Sequence, residues 1–201
     1  MFIEQLPVIF RFHRGTKWRK SHKDKTIYLT FDDGPIPGVT PWVLDVLDHY
    51  GVKATFFCVG QNVERHPEIF EEIVRRGHRV GNHTFNHLKG LWVGRKKYLQ
   101  NVERAAALIP SDLFRPPHGL IGYGKLREIR KHYTVVFWDV VTRDYNASLR
   151  PGLVYRKACR YVRNGSIVVF HDSLKAERNM KETLPRFLAY CRQQGYEFGL
   201  L

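Results

Sequence analysis

Two adjacent carboxylates, Asp32 and Asp33, end the apolar run Ile27-Tyr28-Leu29-Thr30-Phe31 and are followed at once by Gly34-Pro35. Delivering two acids to the rim of a core is costly, because like charges raise each other's pKa and Asp is rarely buried without a partner. A bound cation or a proton-transfer reaction would compensate the pair, and a capped turn would also account for it. His83 and His87, four apart in His83-Thr84-Phe85-Asn86-His87, can face one cation if the backbone between them is helical or makes one turn. A catalytic zinc site usually takes three protein ligands, and the acid pair could supply the missing carboxylate.

Three more clusters carry chemistry. Phe114-Arg115-Pro116-Pro117-His118-Gly119 is a proline-stiffened loop that could hold a backbone N–H toward a ligand, entered by an arginine able to pair with a carboxylate. Trp138 to Tyr145 contains Asp139 and Asp144. His171 closes the apolar run Ile167 to Phe170 and is followed by Asp172, which suits a sheltered acid or base whose ring is oriented by a carboxylate. A hydrogen-bonded core histidine fits His171 equally well.

These residues need elements to position them. The patterning predicts strands at Ile27–Phe31, Val52–Val59, Arg79–Asn82, Leu113–Arg115, Tyr133–Trp138, Ser166–Phe170 and Tyr196–Leu200. Between them, helices are predicted at Pro41–Tyr50, Pro67–Arg76, Gly94–Leu108, Lys125–Lys131, Pro151–Val162 and Met180–Arg192. An alternating α/β order with about seven strands fits either an open doubly wound sheet or a barrel of fewer than eight strands. Either way Asp32, His83, Arg115, Asp139 and His171 fall at the C-terminal ends of strands, where such folds assemble sites. No glycine-rich phosphate fingerprint follows the first strand, which argues against nucleotide chemistry.

The 201 residues suit one domain, able to bury roughly 70% of the surface of the unfolded chain without staples. Cys58, Cys159 and Cys191 lie in apolar contexts and read as buried thiols. The net charge of +14 attracts anionic polymers or surfaces, and its densest stretch, Arg11 to Lys25, includes Trp18. No nucleic-acid-binding motif accompanies it, so the expectation is no nucleic acid and, for residues 1–25, a basic arm packed on or preceding a catalytic domain at 26–201. Glu4 and Pro7 interrupt the N-terminal apolar stretch, so no export signal is expected, nor a membrane-spanning helix. A cytoplasmic or peripherally membrane-associated chain follows as the expectation.

Taken in order, Thr30-Phe31-Asp32-Asp33-Gly34-Pro35, His83-Thr84-Phe85-Asn86-His87, Arg115-Pro116-Pro117-His118-Gly119, Asp144-Tyr145 and Val169-Phe170-His171-Asp172 resemble the five motifs of the polysaccharide deacetylases, carbohydrate esterase family 4. The resemblance spans about Thr26 to Leu201. It implies a distorted (β/α) barrel, a divalent metal that is usually zinc, and removal of acetyl groups from N-acetylglucosamine units. By the same resemblance Asp33, His83 and His87 hold the metal, Asp32 is the base, Arg115 orients it, His171 is the acid and Asp144 polarises that acid. The backbone N–H of His118 would serve the oxyanion, and Val169 and Tyr145 would line the substrate site. Tyr145 stands where the family usually has tryptophan, and His118 where tyrosine is commoner, which alters the groove rather than the chemistry. Trp92 and Tyr123 are further candidates to stack on sugar faces, whereas Trp138 reads as packing. Beside a carbohydrate deacetylase, the residues leave open a deacylase of a small amide or lipid-linked amino sugar and an idle carbohydrate-binding protein.

Overall fold

Successive residues of a strand face opposite sides of a sheet, and the strand Thr26–Asp32 (β2) divides its side chains between two clusters in the computed structural model, which describes residues 15–201. Ile27, Leu29 and Phe31 pack with Phe56, Val80, Val168 and Phe170 beneath the helices. Tyr28 instead packs with Phe57, Leu113, Val136 and Ile167. Thr30 and Asp32 share the parity of Tyr28, so the first acid of the pair points into the lumen of the curled sheet.

Before β2 comes Thr16–Lys17 (β1), and after it Thr55–Cys58 (β3), Arg79–Asn82 (β4), Leu113–Phe114 (β5), Thr134–Val136 (β6), Val140–Val141 (β7), Ile167–His171 (β8) and Glu197–Phe198 (β9). The helices are Thr40–His49 (α1), Gly60–Arg65 (α2), Pro67–Arg75 (α3), Arg95–Ala106 (α4), Tyr123–Ile129 (α5), Pro151–Tyr161 (α6) and Glu177–Gln193 (α7). The sheet is ordered β1-β6-β5-β4-β3-β2-β8-β7, all parallel, with β9 pairing β2 off this path. From β2 to β6 the strands add in one direction, so right-handed crossovers put the helices on one side and the sheet curls. This selects the distorted barrel over the doubly wound alternative. The curl does not close: β1 and β7 are its edges, and Phe137 to Asp139 cross between them, with Phe137 N–H bonded to Lys17 and Asp139 N–H to Ile167.

Helix α1 starts where Pro41 suits a first turn, and it buries Val43, Leu44 and Leu47 in the same core cluster that takes Leu184 and Phe187 of α7. Burying each leucine is worth about 2 kcal/mol. Several sequence expectations need correction. Helix α2 was not foreseen, because six residues opening on Gly60 show too little periodicity. The strand expected over Tyr133–Trp138 stops at Val136, and a separate β7 follows. Asp139 therefore sits before a strand rather than after one, away from the site, where its carboxylate takes Arg163 Nε at 2.8 Å and Nη2 at 2.6 Å and the Ser166 hydroxyl at 2.7 Å. Cys58 and Cys191 are buried thiols, while Cys159 is half-buried.

Part of the basic stretch belongs to the sheet. Thr16–Lys17 pairs with β6, Trp18 packs on the cluster around Phe114 and Phe137, and Arg19 Nε donates to the Asn164 carbonyl at 2.9 Å. Arg11 and Arg14 lie outside the described residues. Among the described residues no helix is long and apolar enough to cross a membrane.

Candidate metal and acid–base site

The C-terminal ends of β2, β3, β4 and β8 open into a cleft of about 810 Å³ lined by Asp32, Asp33, His83, His87, His118, Tyr145, Val169 and His171. Each was singled out in the sequence, and the fold brings all of them together. Arg115 and Asp144 lie just behind this lining, fully buried.

Asp33, His83 and His87 each offer one ligand atom, and these atoms lie within 4.8 Å of one another. His83 Nε2 is 3.7 Å and His87 Nε2 3.2 Å from Asp33 Oδ1. The His83 ring is aimed from behind, since Nδ1 donates to the Arg115 carbonyl at 2.7 Å and leaves the Nε2 lone pair for a cation. Burial pushes His83 down to about 4, keeping it neutral as a ligand must be. Burial works to raise the Asp33 carboxyl, but the His87 hydrogen bond and the charges of His171 and His83 outweigh it and hold the group well below the usual carboxylate range. Two imidazole nitrogens and a carboxylate oxygen suit a divalent ion. The backbone between the histidines turns rather than forming a helix, with Thr84 at φ 65° and His87 at φ 57°.

Asp32 is anchored by Arg115, whose Nη1 lies 2.6 Å from Oδ1 and 2.8 Å from the Thr30 hydroxyl. The same guanidinium donates through Nε to the Val136 carbonyl at 3.3 Å and through Nη2 to the Phe137 carbonyl at 3.0 Å, and its carbon sits 4.0 Å above the centre of the Phe57 ring. Across the cleft, His171 Nδ1 is 2.8 Å from Asp144 Oδ1, and the His171 backbone N–H donates to Oδ2 at 2.8 Å. The Tyr145 ring meets His171 edge-on at 4.7 Å. Burial opposes the imidazolium, yet Asp144, with added help from Asp33 and Asp32, raises His171 to about 9. A histidine raised above its unfolded value stabilises the fold fully below that value, and this contribution disappears as pH rises through about 9.

The carboxylate adjacent to His171 in sequence does something else. Asp172 is buried, accepting the Thr40 hydroxyl at 2.6 Å and the Gly34 N–H at 3.1 Å, and its own N–H donates to the Asp32 carbonyl at 3.1 Å. It bolts the acid-bearing turn to β8, and a Cβ at position 34 would collide with its carboxylate. Burial pushes this carboxyl up to about 8 against the hydrogen bonds it accepts. Thr40, Asn62, which donates to the Asp33 carbonyl at 2.8 Å, and Arg143, which lines the cleft, had no assigned part in the sequence reading. Trp138 packs against the cluster around Phe114 and Phe137, as expected, and its other side walls the cleft.

Backbone strain marks the same place. Asp33, Thr84, His87, His118 and Arg143 are the non-glycine residues with positive φ among the described residues, and all but Thr84 line the cleft. Such conformations cost about 1–3 kcal/mol each and persist where function holds them.

The polysaccharide deacetylase family model matches residues 19–136, and the chain belongs to that family. A peptidoglycan-N-acetylglucosamine deacetylase of Bacillus cereus is 32% identical over 197 residues, covering 90% of this chain and 88% of that protein. A crystallised peptidoglycan N-acetylglucosamine deacetylase is similar with a TM-score of 0.88 at 25% identity, covering 98% of this chain and 95% of that one. A mutant of a carbohydrate esterase family 4 pseudoenzyme with restored enzymatic activity matches with a TM-score of 0.79 at 26% identity, covering 92% and 68% of the two chains.

Arg115→Met should lower stability by about 3–5 kcal/mol in urea unfolding, because it leaves a buried carboxylate unpaired. In an NMR titration His171 should titrate near 9, and Asp144→Asn should move it down by about 1–3 units.

Proposed function

We propose that this chain is a metal-dependent N-deacetylase of polysaccharides or oligosaccharides containing N-acetylglucosamine. The observation that carries the reading is the convergence on one cleft of a three-residue ligand set, an arginine-anchored carboxylate and a carboxylate-charged histidine. Peptidoglycan is the first substrate to test, given what the similar Bacillus cereus protein is named for.

A divalent ion held by Asp33, His83 and His87 would supply Lewis-acid polarisation of the amide carbonyl and of the attacking water. Asp32 takes a proton from that water while Arg115 occupies its Oδ1 and fixes its direction. Water oxygen bonds to the carbonyl carbon, and the backbone N–H of His118 serves the charge that develops on the carbonyl oxygen. The C–N bond then breaks as His171, held as imidazolium by Asp144, protonates the departing amine. The products are acetate and a free amino sugar. An idle carbohydrate-binding protein would not need this opposition of a neutral ligand histidine and a charged acid histidine.

Acetate release should be followed on peptidoglycan, N-acetylated oligosaccharides, a lipid-linked amino sugar and small amides, before and after chelation and with zinc or cobalt restored. Loss on chelation and recovery with metal is the expected outcome, and turnover that survives thorough metal removal would overturn the mechanism. Asp32→Asn should keep its metal and lose at least about 100-fold in turnover, whereas His83→Ala should lose both. Because the acid must be protonated, kcat/KM should fall as pH rises through about 9, and at a lower pH in Asp144→Asn.

A further inference from the structure

Trp92, 74% exposed, and Tyr123, 71% exposed, are the two most solvent-exposed large apolar side chains of the described residues, and both stand outside the cleft lining. Leaving two large aromatics in water forgoes the burial that usually stabilises them, which marks a contact surface when they share a patch. The loops that carry them are the loops that send His87 and His118 into the cleft, where those two rings meet edge-on at 4.7 Å.

The loops are braced against each other. Gly90 and Ile121 form a parallel bridge, and a Cβ on Gly90 would lie 2.5 Å from the Leu120 carbonyl oxygen and 3.1 Å from the Ile121 Cα, so only glycine permits the approach. Lys125 Nζ donates to the Gly90 carbonyl at 2.7 Å, tying α5 to the first loop. Tyr123 opens α5, and the Trp92 N–H is held by the Lys89 carbonyl at 3.3 Å. Trp92 follows His87, and Tyr123 follows His118, by five residues each, so neither Cα lies more than about 18 Å from its histidine.

The geometry points to a distal glycan subsite: we infer that Trp92 and Tyr123 form a stacking shelf for the continuing chain of an N-acylated hexosamine polymer, some sugar units away from the amide that reacts. The inference rests on the reading of the cleft as a sugar-amide site. A polymer whose reacting amide lies at Asp33, His83 and His87 must leave the cleft, and Trp92 and Tyr123 stand on the two joined loops that lead away from His87 and His118. Pyranose rings present apolar C–H faces that suit an aromatic face, while the indole N–H and the phenol can meet sugar hydroxyls. This makes the enzyme selective for chain length, through binding and not through chemistry.

The test uses the full chain and N-acetylglucosamine oligomers from dimer to hexamer. In the Trp92→Ala/Tyr123→Ala variant the hexamer KM should rise about tenfold, while its kcat and the dimer KM stay as in the unaltered protein. Trp92→Phe/Tyr123→Phe should restore most of the hexamer affinity. An unchanged ratio of hexamer to dimer KM in the alanine variant would overturn the shelf while leaving the deacetylase reading intact. If no oligomer is hydrolysed, hexamer binding to the metal-free protein by titration calorimetry decides the point. Weaker binding in the alanine variant supports the shelf although the catalytic reading fails, and equal binding overturns it.

Discussion

A guanidinium without access to water, inside the lumen of a curled sheet, is the constraint around which the site is arranged. Arg115 is fully buried, and burial alone pulls its pKa down from the usual arginine value, with Asp32 working in the opposite direction. It is held there by a carboxylate, a hydroxyl, two carbonyls and an aromatic face. The carbonyls of Val136 and Phe137 can accept from it where β6 ends and the chain crosses the open side of the barrel. Buried ion pairs seldom add net stability over an apolar filling, so a pair this elaborate is better understood as a device for direction. It aims one oxygen-bearing group, Asp32, at one point of the cleft, and through the Arg115 carbonyl it also aims the ring of His83.

Around that axis two histidines are driven to opposite ends of their range. His83 is buried with no carboxylate hydrogen-bonded to its ring, and sits at about 4. His171, also poorly accessible, has Asp144 on Nδ1 and on its backbone N–H, and sits at about 9. The side-chain type is the same in both, and the environment alone keeps one neutral, as a cation ligand would need, and the other charged, as a proton donor would need. The strained backbone that presents these groups is held by polar side chains beneath it. Asn62 and Asp172 secure the turn at Asp33, and the Asn82 side chain accepts the Thr84 N–H at 2.8 Å while donating to Val102 at 3.0 Å.

Much of this was legible in the residues. The strand cores, the alternation of elements and the five polar clusters are local patterns, and Asp32, Asp33, His83, His87, Arg115, Asp144 and His171 stand where the motifs put them. What misled was equally local. Asp172 follows His171 and locally could orient its ring, but its carboxylate goes to Thr40 and Gly34, and Asp144, which the motif resemblance named, takes that place. Asp139 was misplaced by a strand that seemed to continue, because nothing in the run Val135 to Val141 signals that the sheet opens there.

The sequence by itself determined the types and order of the reactive groups, the strands that carry them and the family they define, since periodicity and motif spacing are properties of neighbouring residues. Only the tertiary structure decided which groups meet. That Asp172 turns to Thr40 and Gly34, that the lumen holds Arg115, and that Gly90 lets the loops carrying Trp92 and Tyr123 touch all depend on contacts between segments far apart in the chain. Those contacts are set by the curl of the sheet and the packing of its loops, which leave no periodic trace in the residues themselves.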